Sequence, residues 1–268
     1  MTIEAISRSC PLCQHIDRKI LLDRNNWRNL YKVAMFKCNH CNFIYSGEDK
    51  FDYINFFPSI FSSCGIEELM NIALKEGLDR MALDLIRLSE LKYGANILDF
   101  GSGVGLTALV FKKNEFNVSA VESSEKYLEK LRSLGIAAFS SLELARESTQ
   151  QGFDLVIAKD VLEHVAQPVE MLKKLVASVK DGGYIYLRVP NVNAYWCLRA
   201  IDTMGHINHF TPKVLINLAK QAGLINPRFV GVYDVSTLLG KIYHSIFWRL
   251  RYFLPLDHQI SILFQKAY

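Results

Sequence analysis

The chain has 268 residues, with 31 Lys and Arg against 27 Asp and Glu, a formal net charge of +4, and 50% hydrophobic residues. That balance excludes a mainly disordered chain and lacks the extended basic footprint of a dedicated nucleic-acid binder, so a small-molecule substrate is expected and no nucleic-acid partner. The length suits one large domain or an ordinary domain with a small appendage, and the motifs favour the second.

Residues 1–47 are expected to form the appendage. The first ten lack the apolar core of a signal peptide, and nowhere do about 18 uncharged apolar residues run together, so a cytoplasmic location is expected. Four of the six cysteines fall into two C-x-x-C pairs, Cys10-Pro-Leu-Cys13 and Cys38-Asn-His-Cys41. In a reducing compartment such pairs read as metal ligands before disulfides. A piece this short cannot bury enough surface to fold unaided, and four thiolates closing tetrahedrally on zinc supply the missing free energy. A set of four cysteines leaves the metal no open position, which points to a structural zinc over a catalytic or redox one. Gln14 and Asn42 stand where knuckles often place glycine. His15 and His40 read as bystanders. Phe43-Ile44-Tyr45 suits packing against the next domain, with contact to a partner or substrate as the alternative.

Residues 48–93 read as a helical connector or lid, and 94–235 as an α/β core. Strands are expected at Asn96–Phe100, Val118–Val121, Asp154–Ala158, Tyr184–Val189 and Arg228–Tyr233. Helices are expected near Val104–Lys113, Ser124–Leu134, Val161–Val179 and Lys213–Ala222. This alternation predicts a doubly wound, Rossmann-like parallel sheet with ligands beyond the carboxyl ends of its strands.

The first of these strands enters the turn Gly101-Ser102-Gly103-Val104-Gly105. Glycines let the backbone turn sharply and let a ligand approach it closely. A dinucleotide loop would place its third glycine at Leu106. Asp99 at the strand tip would repel a pyrophosphate and favour a cationic ligand. Glu122 ends the second strand, where a carboxylate can accept hydrogen bonds from two ribose hydroxyls; capping the following helix is the alternative. Asp160 and Glu163 read as a capping box for the helix from Val161, which leaves His164 unassigned. His206-Ile207-Asn208-His209-Phe210-Thr211-Pro212 lies in a loop, with Thr211 a natural N-cap and Pro212 in the first helical turn. Asn191, Tyr195 and Trp196 follow the fifth strand and offer polar and stacking surface for a sugar or aromatic ring. Together with His206 they form the expected substrate site, although packing explains each residue alone.

Residues 236–268 form the final segment. Its basic, aromatic stretch Leu238 to Leu254 suits docking on the domain or on a second subunit as a homodimer, with contact to a membrane surface as the weaker alternative.

In order, LDFGSGVG, VESS, FDLVIAKDVLEHV, YIYLRVPN and GHINHFTP resemble the class I S-adenosylmethionine methyltransferases, specifically the branch of ubiquinone-type O-methyltransferases and many sugar methyltransferases. The resemblance covers roughly residues 94–233, and its first motif is highly specific. A zinc module before this core also resembles the nucleotide-sugar C-methyltransferases, although their usual full-length C-terminal domain is not expected here. The resemblance implies a mostly parallel seven-stranded sheet with an antiparallel last strand, Ile260–Phe264. It implies that Asp99, Gly101, Ser102 and Gly103 line the methionine end of S-adenosylmethionine, that Glu122 holds the ribose, and that Ser123 borders the adenine. The segment Ser140-Ser141-Leu142 would flank the adenine amine, and Ala158 and Lys159 the sulfonium, with the Lys159 side chain turned away from the positive sulfur. His164 or His209 is expected to act as general base toward a hydroxyl of a sugar-like or aromatic small molecule. Asp160, Glu163 and His164, with His206 or His209, also resemble the pattern with which some relatives hold a divalent cation. An RNA methyltransferase using the zinc module as a reader, and a non-catalytic S-adenosylmethionine-binding protein, are the alternatives. The first lacks an N-P-P-Y-type motif after the fourth strand.

Overall fold

The apolar runs of the core line up as the strands of one sheet. The computed structural model describes residues 8–25, 32–47, 63–149, 151–193, 205–230 and 259–268. Tyr195, Trp196 and the stretch Leu238 to Leu254 lie outside the described residues.

The N-terminal segment holds three antiparallel strands, β1 (Arg18–Asn25), β2 (Lys32–Cys38) and β3 (Ile44–Ser46). Two helices follow, α1 (Ile66–Lys75) and α2 (Leu78–Leu88). The core then alternates β4 (Asn96–Phe100), α3 (Leu106–Lys113), β5 (Asn117–Val121), α4 (Glu125–Ser133), β6 (Ala137–Phe139), α5 (Leu142–Glu147), β7 (Phe153–Lys159), α6 (Pro168–Ser178) and β8 (Val179–Pro190). The last elements are β9 (Asn208–His209), α7 (Pro212–Gln221), β10 (Leu224–Phe229) and β11 (Gln259–Lys266). The main sheet runs β10-β11-β8-β7-β4-β5-β6, with parallel pairing throughout except where β11 sits antiparallel between β8 and β10. This is the expected seven-stranded, mostly parallel Rossmann-like sheet with an antiparallel last strand.

Strands covered on both faces read as continuous apolar runs, and Leu155 to Ala158 in β7 are all fully buried. One face packs Leu98, Val156, Ile185 and Leu187 against α6 and α7, and the same cluster takes in Phe36, Phe43 and Tyr45 of the N-terminal segment. Phe43 and Tyr45 are fully buried, the Phe43 ring contributing about 1.5–3 kcal/mol. Packing is therefore what the aromatic run after the second knuckle does. The other face packs Ile97, Leu155 and Ile157 against α2 and Phe111.

Three boundaries differ from expectation. The helix expected from Val161 is divided: Leu162–His164 form a 3-10 turn, and the α-helix begins at Pro168. Proline pushes the residue before it out of the helical region and is favoured at a first helical position. The capping box does not form. Asp160 adopts a φ of 58°, and its carboxylate pairs with Arg188 instead, Nη2 to Oδ2 at 2.5 Å and Nε to Oδ1 at 3.4 Å. The fifth core strand starts at Val179, five residues before the expected Tyr184, and the sixth starts at Leu224, four residues before the expected Arg228, whose expected end at Tyr233 lies outside the described residues. Among the described residues, no helix is long and apolar enough to cross a membrane.

Candidate functional site

The carboxyl ends of β4, β5 and β6 converge on a cavity of about 330 Å³ walled by Phe100, Gly101, Val121, Glu122, Ser123, Ser140, Ser141, Leu142, Glu143, Val161, Met171 and Lys174. The turn after β4 takes left-handed values at Gly101 (φ 74°), Gly103 (φ 56°) and Gly105 (φ 87°). Gly101 also needs its missing side chain, because a Cβ there would lie 2.6 Å from Val161 Cγ2.

Asp99 is buried beneath this turn. Its Oδ2 accepts from Ser102 Oγ at 2.8 Å and from the Ala108 amide at 3.1 Å in the first turn of α3. Burial raises its carboxyl to about 6, against the opposing hydrogen bond from Ser102 and the charge of Lys159. Glu122 joins neighbouring loops. Its Oε2 accepts the Gly103 amide at 2.8 Å, and its Oε1 accepts the Ser123 and Ser124 amides at 2.8 and 2.9 Å. A carboxylate oxygen can accept more than one bond, so Oε2 keeps capacity for a hydroxyl.

Of the expected cofactor residues, Gly101, Glu122, Ser123, Ser140, Ser141 and Leu142 line the cavity. Asp99, Ser102, Gly103, Ala158 and Lys159 are not among the lining residues. Ser141 uses its Oγ to cap α5 through the Leu144 amide at 3.3 Å, and the Lys159 ammonium lies 3.7 Å from Asp160 Oδ2. Phe100, Val121, Glu143, Val161, Met171 and Lys174 were not anticipated. Phe100, Val121 and Val161 lie within the quoted motifs as apolar neighbours of the assigned residues, and Glu143, Met171 and Lys174 carry no motif.

Val161, in the cavity wall, also opens the turn that carries a second cluster. The turn it opens carries Glu163 and His164, and the loop from Gly205 to Phe210 closes over them. Glu163 is 1% exposed, and neither of its oxygens has a hydrogen-bond partner among the described residues. Burial first, and then the Asp160 charge, raise its carboxyl well above the usual range. His164 Nε2 lies 3.9 Å from Glu163 Oε1, and the His164 and His206 rings are 4.8 Å apart at their centroids. Ligating atoms of Glu163, His164 and His206 all lie within 4.8 Å of one another. Burial lowers His164 to about 3 and His206 to about 4. His209 comes to the same region but is buried, with Nε2 unpartnered and its pKa lowered to about 3 chiefly by burial. Asn191 is buried and bridges to Phe210.

The four N-terminal cysteines gather at one point. Sγ separations are 3.5 Å for Cys10 to Cys41, 3.5 Å for Cys13 to Cys38 and 3.4 Å for Cys13 to Cys41. Four sulfurs around a tetrahedral ion at about 2.3 Å stand roughly 3.8 Å apart, so the set fits such an ion closely. Gln14 and Asn42 take φ of 63° and 62°, the left-handed conformation for which glycine is the usual residue. Their amides bond back to the carbonyls of Cys10 and Cys38 at 2.8 and 3.0 Å. His15 and His40 stack on each other at 3.8 Å, exposed beside Cys13.

Residues 73–226 match a family model described as a methyltransferase domain. The ubiquinone biosynthesis O-methyltransferase of Bordetella avium is 29% identical over 151 residues, covering 49% of this chain and 62% of that protein. That of Hydrogenovibrio crunogenus is 25% identical over 183 residues, covering 61% and 76%. The chain thus spans less than two thirds of the first relative and about three quarters of the second. The solved structure of an S-adenosylmethionine-dependent methyltransferase from Archaeoglobus fulgidus aligns with a TM-score of 0.51 at 17% identity, covering 70% of this chain and 94% of that one, which establishes a shared fold.

Proposed function

Since the chain belongs to the methyltransferase domain family, we propose that it transfers the methyl group of S-adenosylmethionine to a hydroxyl of a small molecule, a sugar or a related aromatic metabolite. The observation that carries this reading is the cavity of about 330 Å³ between the glycine turn and Glu122, which shares Val161 with the turn bearing Glu163 and His164. The relatives are named as O-methyltransferases, which supports oxygen as the acceptor atom.

In the transfer the acceptor oxygen attacks the methyl carbon, the carbon–sulfur bond breaks, and its electron pair stays on sulfur. The protein must align the two reactants, exclude water and receive the hydroxyl proton. We assign proton acceptance to His164, which is partly open where His209 is sealed. A second reading rests on the unpartnered Glu163 carboxylate. With His164 and His206 it makes an oxygen and two-nitrogen donor set that fits a divalent cation, which would acidify a bound hydroxyl. In the N-terminal segment, Cys10, Cys13, Cys38 and Cys41 would hold a structural zinc.

The test is a panel of sugar and phenolic acceptors assayed for release of S-adenosylhomocysteine, with His164→Ala and chelator arms. A loss of about a hundredfold in His164→Ala without a chelator effect supports the base. Chelator-sensitive turnover restored by manganese or magnesium supports the cation. No methyl transfer to any acceptor, despite tight cofactor binding, would leave a cofactor-binding protein.

A further inference from the structure

The turn that carries Glu163 and His164 is held largely from outside itself. Between Val161 and Pro168 the chain is a single 3-10 turn followed by an extended Val165 and a bend at Ala166, so its carbonyls lack the partners that a continuous helix would provide. Four of them are met from elsewhere. Leu162 O and Val165 O accept both protons of the Asn208 side-chain amide at 2.9 and 2.7 Å. Glu163 O accepts the Ile207 amide at 2.8 Å, and Ala166 O accepts Arg8 Nη2 at 2.6 Å.

These donors trace back to the four-cysteine segment. Arg8 lies just before Cys10. Ile207 and Asn208 belong to the stretch that adds β9 as a fourth strand to the sheet β1-β2-β3. Tyr45 pairs with Asn208 and Ile44 with His209, the Ser46 amide donates to Ile207 O at 2.9 Å, and Phe43 packs on Phe210 at 5.3 Å between ring centroids. A two-residue strand has too little pairing to persist alone. β3 holds it, and β3 follows directly on the Cys38–Cys41 knuckle.

We infer that the four-cysteine module is part of the methyl-transfer site, with its edge strand β3 and the side chain of Asn208 positioning the Glu163–His164 turn, so that metal in the cysteine centre sets the geometry of the acceptor half. Asn208 is a positioning residue. It is 1% exposed, touches neither cavity nor solvent, and acts through the carbonyls on either side of the catalytic pair. The cofactor half, built on β4, β5 and β6, receives none of these bonds and meets the turn only through Val161 among the described residues. This inference rests on the methyl-transfer reading for its kinetic consequence, not for its structural one.

The experiment uses the full chain loaded with zinc, its zinc-stripped form, and Asn208→Ala. Imidazole nitrogen resonances report on His164, and calorimetry reports S-adenosylhomocysteine affinity. Zinc removal and Asn208→Ala are each expected to move the His164 resonances while S-adenosylhomocysteine affinity stays within about twofold. Asn208→Ala is also expected to keep its zinc and, on the acceptor found in the screen, to lower kcat about tenfold or more with KM little changed, as loss of a supporting hydrogen bond does. Unmoved His164 resonances on zinc removal would overturn the inference, as would cofactor affinity falling in parallel. Should Asn208→Ala not fold, the zinc-stripped wild type decides alone. If no acceptor is ever methylated, the functional reading fails, while the resonance and affinity measurements still decide the coupling.

Discussion

The carboxylate of Glu122 accepts the backbone amide of Gly103 at 2.8 Å, which ties the acid at the tip of β5 to the glycine turn after β4. The same group therefore shapes the turn and, on the proposed reading, would receive a ribose hydroxyl. Glu122→Ala is expected to weaken S-adenosylmethionine and S-adenosylhomocysteine alike by about 1.5–3 kcal/mol through loss of charge-assisted bonds. Calorimetry measures this directly. NAD should not compete, and unchanged affinity in the variant would remove Glu122 from the cofactor site.

Asp99 predicts a pH dependence of cofactor binding. Burial raises its carboxyl to about 6, so in the empty protein this group favours the fold below its ordinary pKa, and that contribution is lost as pH rises through 6. A cationic ligand reverses the preference by stabilising the ionised form. Affinity for S-adenosylmethionine should rise about tenfold between pH 5 and 7 as the carboxylate ionises. In Asp99→Asn the profile should be flat over that interval; a slope that survives would place the titrating group elsewhere.

His209 predicts acid sensitivity. Its pKa falls from an ordinary 6.5 to about 3 because it is buried. A depressed folded value contributes stability that is fully present above 6.5 and is lost as pH falls toward 3. The unfolded chain takes up a proton there that the folded chain refuses, a slope of about 1.4 kcal/mol per pH unit from this one residue. Chemical denaturation of wild type and His209→Gln from pH 7 to 5 should show the variant losing less stability on acidification. Parallel curves would mean that the imidazole titrates equally in both states.

The cysteine centre predicts about one zinc per purified chain. With Cys38→Ser, metal content should fall and thermal stability with it, since the four sulfurs tie the knuckles that end β2 and precede β1. A variant that keeps a full equivalent and its melting temperature would show that the cluster is not what holds this segment.

Much of this was legible in the sequence because the signals are local. Ile97-Leu98-Asp99-Phe100 is an apolar run into a glycine turn, and the C-x-x-C pairs declare their chemistry by spacing alone. The break at Leu162–His164 was harder to see because Val161, Leu162 and Val165 continue a helical pattern, and only Pro168 marks the true start. β9 carried no signal of its own. Two residues, Asn208 and His209, become a strand because β3 offers them an edge, and that edge belongs to a segment more than a hundred residues earlier in the chain. The outward start of β8 was hidden by Gly182 and Gly183, where a Cβ on Gly183 would lie 2.8 Å from Val179 Cγ1 and 3.0 Å from the Asp154 carbonyl.

The place of β11 between β8 and β10 bears on how the protein is made. β8 is synthesised long before the strand that covers its flank, and in that interval an apolar stretch from Ile185 to Val189 stands at the rim of an unfinished sheet. A nascent chain in this state presents an unpaired edge to whatever passes, the situation in which non-native strand pairing and self-association begin. Completion waits on pairing across a large sequence separation, which is slow. Expression yield should therefore respond more to temperature and to chaperones acting on the growing chain than the stability of the finished sheet alone would suggest.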